Sequence, residues 1–159
     1  MVYPYEDEEE HVIYNMVNGL LLRPYMSGQV WKLGEKSMDL LKEGIALYKE
    51  IREEVREGVP VFPLGFGTLE SDVLAYGIDT GRNLYLSVWT SGTDEAEILL
   101  NSPEEFADVF VLYPREERCN WRLEKDRLIV KMPQKKAARL LKLTERSDIK
   151  LYALPSFLV

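Results

Sequence analysis

Few side chains in this sequence are of the kinds that do chemistry, and their spacing decides which could act together. The single histidine, His11, follows an acidic run, Glu6 to Glu10. As a metal ligand or general base it would need partners, and Asp7 or Glu8 lies at helical distance. No second histidine accompanies it, and no Ser/His/Asp or Cys/His set assembles, so a surface histidine tuned by neighbouring carboxylates is expected. The one cysteine, Cys119, excludes an intramolecular disulfide and any Cys-based metal site. Neither a metal nor another cofactor is expected. Gly65-Phe66-Gly67 resembles a fragment of a phosphate loop but lacks the third glycine and the following helix, which predicts a strand-end turn.

Carboxylates and aromatic rings are the remaining candidates. Glycoside hydrolysis needs two carboxylates across a sugar ring. Asp72, Asp79 and Asp94 fall at turns or strand ends, where turn-forming side chains are the expectation. The sequence holds three tryptophans and nine tyrosines, and exposed aromatic faces stack on sugars. Trp89 and Trp121 lie in strand-like runs, where burial is expected. Trp31 differs, because it follows Ser27-Gly28 in a loop between elements.

The elements that would position these residues change character near Gly58. Before it the apolar period is helical. Val12, Ile13, Met16, Val17, Leu20 and Leu21 form one stripe on a helix that Pro24 prevents from continuing past Leu22. The acidic residues at its start suit the positive end of the helix dipole. A second helix is predicted from Ser37, as N-cap, to about Arg56, with Leu41, Ile45, Tyr48, Ile51 and Val55 as its buried stripe. Gly58 and Pro60 end it. Between the helices, residues 22–26 read as a lone extended strand ending in Ser27-Gly28, with nothing nearby to pair with.

After Pro60 the period becomes two. Strands are predicted over 73–78, 84–89, 98–100, 109–113, 121–123, 128–132 and 139–143, with a possible edge strand over 149–154 that Pro155 limits. Thr80-Gly81, Ser91-Gly92-Thr93-Asp94, Asn101-Ser102-Pro103 and Lys125-Asp126 are the turns between them. Leu84, Leu86 and Val88 should face one way and Tyr85, Ser87 and Trp89 the other. The fold class is therefore α+β and mainly β: an antiparallel β-sandwich preceded by two helices and a short strand.

Composition excludes several partners. The chain has 159 residues, 46% of them hydrophobic, enough for a real core. Its net charge is −7 with 30% charged residues well mixed, which disfavours nucleic acid. The densest basic spot, Lys135-Lys136 with Arg139, reads as a solvated strand end. No apolar run is long enough to span a bilayer, and the acidic N-terminus argues against a signal peptide. A soluble, cytoplasmic protein is the expectation.

Taken in order, Tyr14-Asn15-Met16-Val17-Asn18-Gly19, Arg23-Pro24-Tyr25-Met26-Ser27-Gly28, Ile45-Ala46-Leu47-Tyr48-Lys49-Glu50-Ile51-Arg52 and Pro63-Leu64-Gly65 resemble glycoside hydrolase family 36, the α-galactosidase family. Tyr85-Leu86-Ser87-Val88-Trp89, Val111-Leu112-Tyr113-Pro114 and Ala137-Ala138-Arg139-Leu140-Leu141 continue the similarity, which spans roughly residues 3 to 144. The resemblance implies the last units of a βα barrel over 1–58 and a C-terminal antiparallel β-sandwich over 59–145. Residues 146–159, outside the similarity, are expected to be an extra edge strand or tail. It places the nucleophile and acid/base aspartates on earlier barrel strands, which nothing here matches. The implied role is an accessory part of an α-galactosidase-like enzyme, catalytically incomplete alone. In an intact barrel Met26, Ser27, Gly28 and Trp31 would border the sugar pocket, since such sites lie at the C-terminal ends of the strands. A carbohydrate-binding or protein-interaction module, or a subunit completing a separately encoded barrel, is the alternative. The helical stripes need cover from the sandwich, from each other, or from a second copy in a homodimer through the helical face.

Overall fold

The computed structural model of the chain describes residues 8–68, 70–100, 106–116 and 119–145. The first helix, α1 (Glu9–Leu20), begins with Glu9 and Glu10 against the positive end of its dipole. A connection with one short 3₁₀ turn (Val30–Lys32) leads to α2 (Glu35–Arg56). Eight strands follow: β1 (Val59–Val61), β2 (Val73–Asp79), β3 (Asn83–Thr90), β4 (Glu95–Leu99), β5 (Phe106–Tyr113), β6 (Asn120–Leu123), β7 (Arg127–Lys131) and β8 (Ala137–Glu145). They form a five-stranded sheet in the order β1-β2-β3-β8-β5 and a three-stranded sheet in the order β4-β7-β6. Every described pairing is antiparallel. The expected mainly β fold with two helices and antiparallel sheets is present.

The two apolar clusters explain the layering. Leu84, Leu86 and Val88 of β3 join Leu141 and Leu143 of β8 against Ala96, Ile98, Leu128 and Val130 of the smaller sheet. Tyr85 and Ala138, with the opposite parity, join Ile13, Met16, Leu20, Leu41, Leu47 and Ile51 of the helices. The larger sheet is thus covered on both faces, by helices on one and by the second sheet on the other. The predicted alternation along β3 is the one observed, although both of its faces are apolar because it is an interior strand. Outward on the small sheet, Arg127 bonds Glu97 at 2.8 Å and Lys131 bonds Asp94 at 2.8 Å, a solvated charged face.

Helix α2 crosses α1 closely at Gly44. A Cβ there would stand 2.5 Å from Met16 Cε and 3.2 Å from Tyr113 Cε2. The Tyr113 hydroxyl donates to the Leu40 carbonyl at 3.1 Å, linking β5 to the same helix. Through these contacts Val12, Ile13, Met16, Val17 and Leu20 are all buried within the chain. The helical face offered above for a homodimer is therefore covered by the chain's own sheet and second helix.

Several local expectations differ from the structure. Ser37 is not the N-cap of α2: the helix starts at Glu35, Gly34 occupies the cap position, and Ser37 is buried inside the first turn. The buried stripe of α2 is Leu40, Leu41, Gly44, Leu47, Ile51 and Val55, with Ile45 and Tyr48 only half-buried at its border. It is rotated because small Gly44, not a large side chain, marks the closest approach. Residues 22–26 are irregular, with a single bridge residue at Met26 instead of a strand. Pro24 lacks an N–H and restrains Arg23 before it, so a ladder has little to build on. Strand β1 was not foreseen; Pro60 sits opposite Ile78 on the sheet edge, where a missing donor is tolerated. Trp121 is exposed rather than buried, because β6 is itself an edge. Arg139 is not a solvated strand end but fully buried. The edge strand suggested over 149–154 lies outside the described residues.

Candidate functional site

The residues singled out for a site lie together on the α1–α2 connection. Tyr25, Met26 and Trp31 are exposed, while Ser27 and Gly28 are half-buried. Gly28 has φ of 98°, a left-handed value that glycine adopts without strain, and it turns the chain toward the 3₁₀ turn. Val30 and Leu33 anchor the connection by packing on the helical cluster. The anchors fix the segment but leave its other side chains outward: Leu22 is 56% exposed, Tyr25 66%, Met26 40% and Trp31 76%. Four large apolar side chains thus face solvent within ten residues. That arrangement offers contact area and aromatic faces.

The carboxylates weighed for catalysis have local roles. Asp79 Oδ1 accepts the Gly81 N–H at 2.7 Å and shapes the β2–β3 turn, where Gly81 has φ of 72°. Asp94 pairs with Lys131, whose hydrogen bond and charge outweigh desolvation and hold its carboxyl below the usual range. Asp72 lies against Gly92, where an added Cβ would run into its carboxylate. His11 is half-buried near the start of α1. Among the described residues no group of three or more His, Cys, Asp or Glu side chains is placed to hold a metal ion.

Two polar centres escaped the sequence reading. Glu54, on α2, accepts from Thr80 Oγ1 at 2.9 Å, Asn83 Nδ2 at 2.6 Å and the Tyr85 hydroxyl at 2.7 Å. Partial burial opposes its charge, but these three donors and the Lys142 ammonium prevail, so its carboxyl is held below the ordinary value. Burial and the adjoining carboxylate push the Tyr85 hydroxyl well above its ordinary range. The cluster pins the end of α2 to the β2–β3 hairpin.

The second centre is Arg139. Its Nη1 and Nη2 each bond a Glu10 carboxylate oxygen at 2.9 Å, and Nη1 also donates to the Ala138 carbonyl at 2.7 Å. Arg139 shares strand parity with Leu141 and Leu143, yet its fork reaches α1. Strand β5 pairs with β8 no further than Leu140, so among the described residues no strand covers the edge of β8 beside Arg139. The signal was present in the sequence, since an arginine inside Ala-Ala-Arg-Leu-Leu sits where every neighbour is apolar.

A groove also opens where α1 ends, lined by Leu21, Leu22, Arg23, Tyr48, Arg52, Glu53, Val55 and Arg56. Tyr48, Arg52 and Arg56 follow one another at steps of four along α2 and so share a face. Nothing in the residue spacing of the first 58 positions pairs Arg23 with that face, because the connection's path decides it. No described helix is long and apolar enough to cross a membrane. No known protein family and no curated protein matches the chain.

Proposed function

We propose that the chain is an accessory, non-catalytic part of an α-galactosidase-like glycosidase, and that the α1–α2 connection is the surface it turns toward the βα barrel. The observation that carries the reading is the exposure of Leu22, Tyr25, Met26 and Trp31 on an anchored segment. Contiguous apolar exposure on this scale marks contact surfaces. The resemblance to glycoside hydrolase family 36 supplies the identity of the partner, since it implies that this segment stands at the end of the last barrel strand. Met26, Ser27, Gly28 and Trp31 then border the sugar pocket only once the barrel is in place. Two measurements test this. The purified chain is expected to hydrolyse no nitrophenyl α-galactoside. Mixed with a family barrel lacking its own C-terminal domain, it is expected to co-elute as a complex that Trp31→Ala weakens about tenfold or more, as an aromatic anchor would. Turnover by the chain alone, or no complex with the barrel, overturns the proposal.

A second reading is favoured by Tyr25 and Trp31 alone, whose exposed rings suit stacking on a sugar. A saturable tryptophan-fluorescence change on galactoside titration, abolished in Trp31→Ala, would make the chain a free-standing carbohydrate binder.

A further inference from the structure

The groove between the end of α1 and the last turns of α2 has a chemistry that neither the sandwich nor the barrel contact requires. Its volume is about 420 Å³, within the range of small-ligand clefts, roughly 300–1,000 Å³. Of its apolar lining, Leu21 and Val55 are buried, Tyr48 is half-buried and Leu22 is exposed. Three guanidinium groups, Arg23, Arg52 and Arg56, stand against one carboxylate, Glu53, in a chain whose net charge is −7. The groove is a local reversal of the molecule's charge.

The three arginines are not equivalent. Arg56 is committed: its Nη1 lies 2.9 Å from Glu53 and its Nε 2.9 Å from Glu57, and it sits in the last turn of α2 near the carbonyl end of the dipole. Arg52 makes a single long contact, Nε to Glu53 at 3.4 Å. Arg23 has no ion-pair partner among the described residues. Two guanidinium forks are thus available beside an aromatic ring and an apolar lining. Guanidinium forks bind carboxylate or phosphate oxygens bidentately, and no other protein side chain does so as well.

We infer that this groove binds a small organic anion, with a carboxylate or phosphate head clamped by Arg23 and Arg52 and a flat or aliphatic body on Tyr48, Leu21 and Val55. The groove shares Leu22 with the proposed barrel contact, but the inference needs neither Trp31 nor a partner protein. Calorimetric titration of the full chain at low salt with phenyl phosphate, benzoate and phenol tests it. One of the two anions should bind saturably at a single site, its identity giving the head group, while phenol, which has the ring without the charge, should not. Arg23→Gln and Arg52→Gln should each weaken binding about tenfold, the loss of one charge-assisted contact. Arg56→Gln should have the smaller effect. All three side chains are exposed, so circular dichroism should show unchanged folding. No saturable heat with either anion, equal binding of phenol, or binding that Arg23→Gln and Arg52→Gln leave unchanged overturns the inference.

Discussion

Removing Glu10 should destabilise the protein far more than the loss of an ordinary surface ion pair. Arg139 is 0% exposed, and its two terminal nitrogens meet both Glu10 oxygens at 2.9 Å. Glu10→Ala deletes both charge-assisted bonds while the guanidinium stays inside, and breaking one partner of a buried pair costs about 3–5 kcal/mol. An exposed pair costs only about 0.2–1 kcal/mol. Since domains of this kind have about 5–15 kcal/mol in total, about a fifth or more of the stability is at stake. With a urea slope of about 2 kcal/mol/M, the midpoint should fall on the order of 2 M. The double variant Glu10→Leu/Arg139→Met removes both charges and refills the space with apolar side chains, so it should recover most of the loss. Added salt should change the wild-type value little, because a buried pair is poorly screened. The reasoning fails if Glu10→Ala costs less than about 1 kcal/mol, the surface-pair range, or if the double variant is no more stable than the single one.

Three further outcomes follow from the packing. Gly44→Val should cost about 1–3 kcal/mol in thermal unfolding, because its side chain would collide with Met16 and Tyr113 at the helix crossing; a neutral result would mean the helices part freely. Glu54→Gln should be destabilising above the ordinary carboxyl value of 4.5, where the ionised wild-type side chain keeps its three donors. The folded-state value is lowered, so the difference between wild type and variant should shrink as pH falls below 4.5 through that lower value; denaturant unfolding at a series of pH values reads it, and a difference that grows on acidification would contradict the assignment. Trp31→Ala should leave unfolding free energy within about 0.5 kcal/mol, since the ring is mostly in solvent; a larger loss would make it a packing residue and remove it from the contact surface.

The strands were legible because their signals are local. Alternation of Leu84, Leu86 and Val88 with Tyr85, Ser87 and Trp89 needs only a period of two, and Thr80-Gly81 announces the turn before it. What escaped depends on neighbours remote in sequence. Ser37 looks like a cap until Gly34, three residues earlier, takes that position. Tyr48 looks like core until Gly44 brings α1 to a different side of α2. Pro60 reads as a breaker unless the strand lies at an edge. Arg139 looks solvated beside Lys135 and Lys136, but its environment is set by Glu10, at the other end of the described chain. The candidate site divides the same way: exposure of Trp31 followed from its loop position, whereas the arginine groove needed the path of the connection.

Strand β8 carries a consequence for how the chain is made. In the larger sheet β5 is hydrogen-bonded to β8 alone, and β8 also supplies the floor for α1. The β3–β8 ladder joins Thr90 to Ala137 and Asn83 to Thr144, across most of the sandwich sequence. A topology of such distant pairings folds slowly, on the order of milliseconds to seconds. During synthesis at roughly 5–20 residues per second, α1 must wait on the order of 6–25 seconds for β8 to emerge after it. Over that interval the stripe Val12, Ile13, Met16, Val17 and Leu20 has emerged without β8 beneath it. The nascent chain is where a chaperone would meet that stripe uncovered, and a ribosome-stalled chain ending before Ala137 is where to look for it.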